Sequence, residues 1–276
     1  MADFSNPARG LIVTADDFGA SLAVNEAVEQ AHRGGILTAA SLMVSGNAAA
    51  DGVARAKAMP ALGVGLHLVL VEGRPTLPPE RLPDLVDASG NFSANMVRTA
   101  FAIALKPAAR RQLRAEIDAQ FAAFAATGLP LDHVNAHKHF HLHPMIASAV
   151  IEIGRSYGMT SVRAPIERGT PGLEYWWATR LQRRLRREGM LVPDQVVGLA
   201  WTGAFDSDRM RAALAELPPG LTEIYTHPAT DDVWPGSAPG YRYRDELVAL
   251  KDDLAKATIV RDGVSHGNFS HFAPAS

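Results

Sequence analysis

Short apolar runs alternate with longer segments of helical period along almost the whole 276-residue chain, and this alternation restricts its fold more than any other feature. Strands and helices in regular succession predict a mostly parallel sheet with helical crossovers. About seven such units in one chain favour a closed or nearly closed barrel, so we predict an α/β fold, a distorted, TIM-like (β/α) barrel. The strand-like runs are Leu11–Ala15, Thr38–Val44, Gly63–Val71, Leu131–His137, Ser161–Ala164, Val196–Trp201 and Leu221–Thr226.

Helices with recognisable start or stop signals lie between these runs. Ser21 is placed to cap the first helix, Gly34 and Gly35 to end it, and Pro144 suits the first turn of a later one. Because repeats and low-complexity linkers are absent, we predict one domain over residues 1–276 with its core at about 10–260. The predicted helices are Ser21–Arg33, Ala48–Ala58, Ala108–Ala126 and Pro144–Tyr157.

The composition argues against several classes of function. A formal net charge of -2 gives no electrostatic basis for nucleic acid as a partner. The chain has no Cys, which fits a reducing compartment and rules out thiolate chemistry. The polar start "MADFSNPARG" lacks the apolar core of a signal peptide, and no apolar stretch approaches the ~20 residues that span a bilayer. We therefore expect a soluble, cytoplasmic protein, either a monomer or a homo-oligomer.

Two adjacent carboxylates, Asp16 and Asp17, follow the first strand-like run in "LIVTADDFGAS". In a βα barrel the carboxyl ends of the strands converge on the rim that carries catalytic groups, so both should face that rim. Neighbouring carboxylates repel each other unless water or a positive charge compensates them. The alternative is structural, with one acid capping a helix or forming a turn and the other solvated.

Histidines accumulate at the same predicted rim. His67 lies inside the third strand-like run, and "NAHKHFHLHP" contains four more, of which alternate ones could share a face of an extended segment. Two imidazoles and one carboxylate form a set that binds a divalent metal and leaves positions open for water and substrate. A lone strand histidine can instead be a hydrogen-bonded core residue, and the cluster a surface tract without an ion. The four clustered histidines are His137, His139, His141 and His143.

The acids and histidines together suggest metal-assisted hydrolysis. One Asp of the pair would bind the ion, which relieves the repulsion, while the other acts as general base on a metal-activated water. A leaving group then needs an acid on its far side, and His227 in "IYTHPAT" is the candidate. His227 could equally be a rim histidine without a chemical role.

With "TADDFG", "GLHLVL", "HVNAHKHFHLHP" and "YTHPA" in this order, the sequence resembles the YdjC-like family of carbohydrate deacetylases, from about Leu11 to beyond His227. "TAASLMV", "VGLHLVLVEGRP" and "LPLDHVNAHKHFHLHP" look especially like its hopanoid-biosynthesis branch, known as HpnK. The resemblance implies a distorted (β/α) barrel. It also implies that one divalent metal ion, with zinc or magnesium favoured, supports hydrolysis of an N-acetyl group on a sugar.

Carried over by position, the resemblance makes Asp17, His67 and His137 the metal ligands. It makes Asp16 the base and His227 the acid candidate. Arg163, in "VRAP", matches an arginine that could steady Asp16 or the substrate, although it could also be a plain strand-end arginine.

The chain departs from the chito-oligosaccharide members of the resembled family next to a ligand. Those members read Asp-Ser-His-His-His where this chain reads Asn135-Ala136-His137-Lys138-His139. The ligand histidine is retained, whereas an acid is replaced by Asn135 and a histidine by Lys138. Changes around the ligands tune affinity and reactivity without abolishing them, so chito-oligosaccharides need not be the substrate.

The segment Trp176–Arg187 combines an apolar stripe with arginines on its flanks. This pattern fits either a barrel helix with solvated arginines or a helix lying on an anionic membrane surface. A hopanoid glycolipid substrate would favour peripheral contact with the inner membrane face. The Pro-rich segment Glu72–Pro83 is either a lid or a long connector.

The sequence is therefore interpreted as a metal-dependent hydrolase that removes an N-acetyl group from an amino sugar or glycolipid, here an N-acetylglucosaminyl hopanoid. One alternative is a hydrolase of another amide or of an O-acetyl ester, because amide and ester cleavage share tetrahedral chemistry. Another is a non-catalytic barrel that binds sugar or metal. A third is a structural subunit of a biosynthetic complex.

Overall fold

The computed structural model describes residues 9–167, 169 and 172–273, and a parallel sheet lies at its centre. The strands follow the order β4-β3-β2-β1-β6-β5, and β7 pairs with the beginning of β1. Within the described residues the strands are β1 (Arg9–Phe18), β2 (Ala39–Leu42), β3 (Gly63–Leu68), β4 (Val134–Ala136), β5 (Gln195–Val197), β6 (Gly220–Thr226) and β7 (Ser265–His266). The prediction of an α/β fold with a TIM-like parallel sheet is confirmed.

Helices flank this sheet along the chain. α1 begins after Ser21, whose hydroxyl accepts a hydrogen bond from Val24 N at 3.2 Å, as the sequence predicted. Pro107 and Pro144 open α4 and α5, where a missing N–H costs nothing. The described helices are α1 (Leu22–Gly34), α2 (Ala49–Lys57), α3 (Met96–Leu105), α4 (Pro107–Ala126), α5 (Pro144–Ser156), α6 (Leu173–Arg187), α7 (Ser207–Ala215), α8 (Tyr243–Leu250), α9 (Asp253–Arg261) and α10 (Phe269–Phe272).

The central strand β1 explains how the sheet is held together. It pairs with both β2 and β6, and nine of its ten residues are buried. Burial on both faces is typical of a parallel sheet covered by helices, which is why this run has an almost continuous apolar sequence. The main apolar core packs around it and includes Leu11, Val13 and Ala15.

Several predicted strand limits were wrong. The segment predicted as the strand Ser161–Ala164 forms only single bridges, Val134 to Val162 and Ser161 to Leu191. These bridges lie between the outer strands β4 and β5 and curl the sheet towards a barrel. β1 was predicted to end at Ala15 but continues to Phe18, and β7 was not predicted because it has only two residues.

The segment Glu72–Pro83 is anchored against α4. The buried Glu116 carboxylate accepts hydrogen bonds from the backbone N–H groups of Thr76 at 2.8 Å and Leu77 at 2.9 Å. Gly73 O accepts a further bond from Phe92 N at 2.8 Å. These bonds favour the interpretation of this segment as a connector. No helix in the described part of the chain is long and apolar enough to cross a bilayer.

Candidate metal and catalytic site

The end of β1 presents two neighbouring acids to the same space. Successive side chains of a regular strand point to opposite faces, so Asp16 and Asp17 would normally diverge. The pairing of β1 with β2 shifts register between Ala15 and Phe18, and Asp17 adopts a left-handed φ of 62°. This local bulge breaks the alternation, and both carboxylates line one cavity at the carboxyl edge of the sheet.

Asp17 meets two histidines from β3 and from the residue that follows β4. Its Oδ1 lies 3.3 Å from His67 Nε2 and 3.3 Å from His137 Nδ1, and the two ring nitrogens are 3.4 Å apart. Among the described residues these three form the one group of acid and histidine side chains spaced to hold a metal ion. Three strand ends that are distant along the chain thus supply one carboxylate and two imidazoles.

The geometry of this triangle fits a bound cation. Ligand atoms at the corners of a tetrahedron with bonds of about 2.0–2.1 Å lie about 3.3–3.4 Å apart, which matches the three distances. Asp17 Oδ1 is buried and accepts no hydrogen bond from the described residues. An unsatisfied buried carboxylate oxygen is costly, and a metal ion would satisfy it.

Asp16 is held in a different way. The guanidinium of the fully buried Arg163 donates to both of its oxygens, at 2.5 Å and 3.0 Å. Arg163 also donates to Glu223 Oε1 at 2.6 Å and 2.9 Å. The same oxygen accepts a bond from the Thr14 hydroxyl at 2.8 Å. This fixed geometry orients Asp16 towards the cavity.

The charges of the cluster are unbalanced. Asp16, Asp17 and Glu223 are three carboxylates, and among the described residues Arg163 is the one arginine that pairs with any of them, namely with Asp16 and Glu223. With neutral imidazoles, three negative charges less one positive charge leave an excess of two. A divalent cation would neutralise this excess in a buried environment where uncompensated charge is expensive.

The pKa values of these groups reflect the competition between burial and charge. Burial raises the pKa of Asp16, but the charge and hydrogen bonds of Arg163 outweigh it and hold the pKa well below its ordinary range. For Asp17 burial is likewise outweighed, by the imidazoles of His137 and His67, and its pKa is lowered. Burial lowers the pKa of His67, yet the carboxylates of Asp16 and Asp17 raise it overall.

The histidine cluster does not form the predicted shared face. The segment His137–Leu142 is a 3₁₀ turn in which Lys138 and His139 have φ values of 52° and 53°, so the extended alternation is lost. His141 Nε2 instead contacts Arg163 O at 2.8 Å, and burial lowers the pKa of His141 to about 4. His141 is therefore a hydrogen-bonded core histidine. His139 lies beside Tyr225, with ring centroids 5.5 Å apart.

His227, the predicted acid, lines the same cavity of about 1420 Å³. Its backbone N–H donates to the buried Glu246 carboxylate, which fixes the chain at the end of β6. Its ring lies between Tyr225 and Tyr241, with centroids 5.5 Å and 5.7 Å away. Five of the six predicted site residues therefore line this cavity: Asp16, Asp17, His67, His137 and His227. The sixth, Arg163, lies directly behind Asp16, with which it forms an ion pair.

The sequence analysis did not identify Glu223 as a site residue. It noted Asn135 as a departure from the resembled family but predicted no contact for its side chain. The signal for Glu223 was present, because an acid within the apolar run "LTEIYT" must be paired if it is buried. Lys138, noted as a departure, forms an ion pair with Glu72 at the rim of the cavity. Both residues have positive φ values, 52° and 47°, so the pair joins two turns with unusual backbone geometry.

Comparison with protein-family models and with known proteins finds matches over most of the chain. The family model described as YdjC-like protein matches residues 10–261. A carbohydrate deacetylase of Brevibacillus brevis is 32% identical over 254 residues, which cover 89% of this chain and 86% of the relative. A carbohydrate deacetylase of Geobacillus stearothermophilus is 31% identical over 267 residues, covering 96% of this chain and 98% of the relative.

A solved structure shares the fold. A protein from Enterococcus faecalis, described as a cellobiose-phosphate cleavage protein, superposes with a TM-score of 0.80 at 23% identity. The match covers 96% of this chain and 99% of the other.

Proposed function

The chain belongs to the YdjC-like protein family, and from this premise we propose that it is a single-domain, metal-dependent carbohydrate deacetylase that removes an N-acetyl group from an amino sugar. The relatives named carbohydrate deacetylase support the substrate class. The observation that carries the proposal is the triangle of Asp17, His67 and His137 beside the clamped Asp16 carboxylate.

The proposed metal ligands are Asp17, His67 and His137. A divalent cation held there would polarise the acetamide carbonyl and lower the pKa of a water molecule. The spacing of the ligand atoms favours a tetrahedral, zinc-like ion, because ligands around octahedral magnesium would lie only about 2.8–3.0 Å apart. We therefore propose zinc ahead of magnesium.

In the proposed reaction Asp16 accepts the proton of the attacking water. Its lowered pKa keeps it ionised throughout the neutral range, and Arg163 prevents the carboxylate from rotating away. His227, on the wall of the same cavity, is proposed to donate a proton to the departing amine. The aromatic rings of Tyr225 and Tyr241 beside it exclude water and offer flat surfaces for the sugar.

The finer part of the proposal concerns the acceptor and its location. We propose an amphiphilic substrate, an N-acetylglucosaminyl hopanoid, which a cytoplasmic protein would reach at the inner membrane face. The cavity is far larger than one acetamide, and its wall includes Met96, Leu173 and Trp177. Next to it on α6, Leu173 and Trp176 are 72% and 53% exposed, so apolar surface continues from the cavity to the outside.

The proposal is tested by removing the metal. We expect chelated protein to lose acetate release from N-acetylglucosaminyl substrates and to regain it most strongly with zinc. His67→Ala and His137→Ala should abolish stoichiometric metal in elemental analysis because each removes one of three ligands. His143→Gln, in the cavity wall but outside the triangle, is the matched control and should retain the metal.

The alternatives predict different outcomes. Acetate release from O-acetylated sugars alone would identify an esterase. Tight sugar binding by the metal-loaded protein without turnover of either substrate class would identify a binding protein. Full activity after complete removal of metal would contradict the proposal.

A further inference from the structure

A line of polar side chains lies inside the sheet beneath the candidate site, where barrels usually carry branched apolar residues. Asp132 Oδ2 lies 3.0 Å from His133 Nδ1, and His133 Nε2 lies 2.9 Å from Ser41 Oγ. Asn135 Nδ2 donates to the same hydroxyl at 2.8 Å. All four side chains are buried, so the line runs through the interior from the amino edge of the sheet towards the site.

Two glycines of β3 make room for this polar line. A Cβ atom at Gly65 would lie 2.5 Å from the His133 ring, and one at Gly63 would lie 2.5 Å from the Asp132 carboxylate. Both distances are shorter than any van der Waals contact. The "GVGLH" sequence that ends in the ligand His67 therefore also provides the space for the polar residues beside it.

The upper end of the line is the side-chain amide of Asn135, which contacts two site residues at once. Its Oδ1 lies 2.7 Å from His67 Nδ1, and its Nδ2 donates to Asp16 Oδ1 at 2.9 Å. A carboxylate can only accept, so the amide nitrogen must face Asp16 and the amide oxygen must face His67. In the neutral imidazole of His67 the proton must then be on Nδ1, which leaves the Nε2 lone pair directed at Asp17 and His137.

We propose that Asn135 is a positioning residue for two partners: it fixes the tautomer of His67 for metal binding and the orientation of Asp16 for proton transfer. The metal and proton-transfer roles rest on the proposed function. The line from Asp132 to Ser41 holds the amide in this orientation. Ser41 accepts from Asn135 and can donate to His133 Nε2, and His133 Nδ1–H then donates to Asp132.

The lower end of the line is fixed to α10. Asp132 accepts bonds from the backbone N–H groups of Phe269 at 3.3 Å and Ser270 at 2.8 Å. Each donor in the line therefore has an acceptor, so the buried network contains no unpaired donor that would destabilise the fold. The orientation of Asn135 is set by residues outside the cavity, so the substrate does not need to contact them.

Two variants separate the two contacts. In Asn135→Leu both contacts are lost at similar volume, and we expect metal affinity to fall about 10–100-fold and kcat to fall as well. In Asn135→Asp, studied at alkaline pH, the acceptor for His67 remains but a carboxylate faces Asp16. We expect this variant to keep metal affinity within about threefold, because an oxygen that accepts from His67 Nδ1 is retained, and its kcat then reports the effect of losing the donor to Asp16.

Gln120→Leu is the matched control. Gln120 is also a fully buried amide, and its hydrogen bonds go to Val69 N, Val69 O and Glu116 and to none of the three proposed ligands. We expect it to lower the unfolding midpoint as much as Asn135→Leu does, with metal affinity unchanged. Metal dissociation constants are measured by competition with a chromophoric chelator, and kcat and KM on metal-saturated protein.

A third readout needs neither metal nor turnover. In the metal-free protein at alkaline pH, ¹H–¹⁵N correlation spectra of the imidazoles report the His67 tautomer. We expect a predominant Nδ1–H form in the wild type and a mixture in Asn135→Leu. An unchanged tautomer together with unchanged metal affinity in Asn135→Leu would overturn the inference. Absence of metal binding or acetate release by the wild type would instead overturn the proposed function.

Discussion

Asp16 and Asp17 are adjacent along the chain and of the same type, yet their surroundings give them opposite properties. Both oxygens of Asp16 are occupied by Arg163, and one also by Asn135, whereas Asp17 keeps one buried oxygen free and directed at two imidazoles. Three hydrogen bonds hold the Asp16 carboxylate rigidly and leave one of its about four lone pairs for a proton, whereas the open oxygen of Asp17 can serve as a ligand. This difference is the basis on which we propose a base and a ligand.

The role of Asp16 is checked by Asp16→Asn. We expect the variant to retain stoichiometric metal, because the ligand triangle is untouched. The rate of acetate release should fall about 10²–10⁴-fold, which is the usual contribution of a positioned base. Steady-state kinetics and elemental analysis of the same preparation measure both properties. Full activity in this variant would show that another group accepts the proton.

Helix α6 shows how one element can serve both the core and the surface. Ala178, Leu181 and Leu185 are buried, so the apolar stripe seen in the sequence is explained by packing. On its outer side Arg184 and Arg186 pair with Glu188 and Asp194. Arg180, Arg183 and Arg187 have no acidic partner among the described residues, and they line a groove together with Trp176.

The free arginines predict binding to anionic membranes. In a flotation assay with vesicles containing acidic phospholipid, we expect the wild type to bind and Arg180→Gln/Arg183→Gln to bind about 30-fold more weakly, at about 1 kcal/mol per arginine. Arg184→Gln/Arg186→Gln removes the same charge from paired positions and should lose much less affinity. Equal losses in both variants, or flotation with neutral vesicles alone, would contradict the proposed contact. If a second copy of the chain covered this face of α6 in place of a membrane, size-exclusion chromatography would show a dimer.

At the scale of the whole molecule, several buried aspartates in and next to the sheet have lowered pKa values and are therefore ionised. The pKa values of Asp16, Asp17 and Asp132 are lowered, because in each case nearby groups outweigh the effect of burial. The groups are Arg163 for Asp16, the imidazoles of His137 and His67 for Asp17, and His133 for Asp132. A carboxylate with a depressed folded-state pKa stabilises the protein above its unfolded pKa of about 3.9. That contribution is lost as the pH falls towards the folded pKa.

We therefore expect the free energy of unfolding of the metal-free protein to decrease as pH falls below about 4. Guanidinium titrations at several pH values measure this slope. Asp132→Asn removes one of the responsible groups, so its stability should depend less on pH in this range. Asp208→Asn, whose side chain is 91% exposed, is the control and should follow the wild-type slope. If the free energy of unfolding of the wild type did not change with pH in this range, the buried acids would not contribute the expected pH-dependent stability.

The local part of this protein was predictable from its sequence. Strand and helix periods, the Ser21 cap and the first-turn prolines depend on neighbours a few residues apart, and they indicated the parallel α/β fold. The ligand candidates were also accessible, because acids and histidines that end successive strands must meet at one edge of a parallel sheet. The motif resemblance added which acid of the pair to propose as the ligand.

Only the tertiary structure decided the contacts that give these residues their properties. The bulge at Asp17, the turn that separates His137 from His139 and His141, and the burial of Glu223 against Arg163 all follow from how distant strands align. The line from Asp132 to Asn135 likewise requires β2, β3 and β4 to be neighbours. Periodicity describes one strand at a time, whereas a hydrogen bond between strands depends on their order and register, which no single segment encodes.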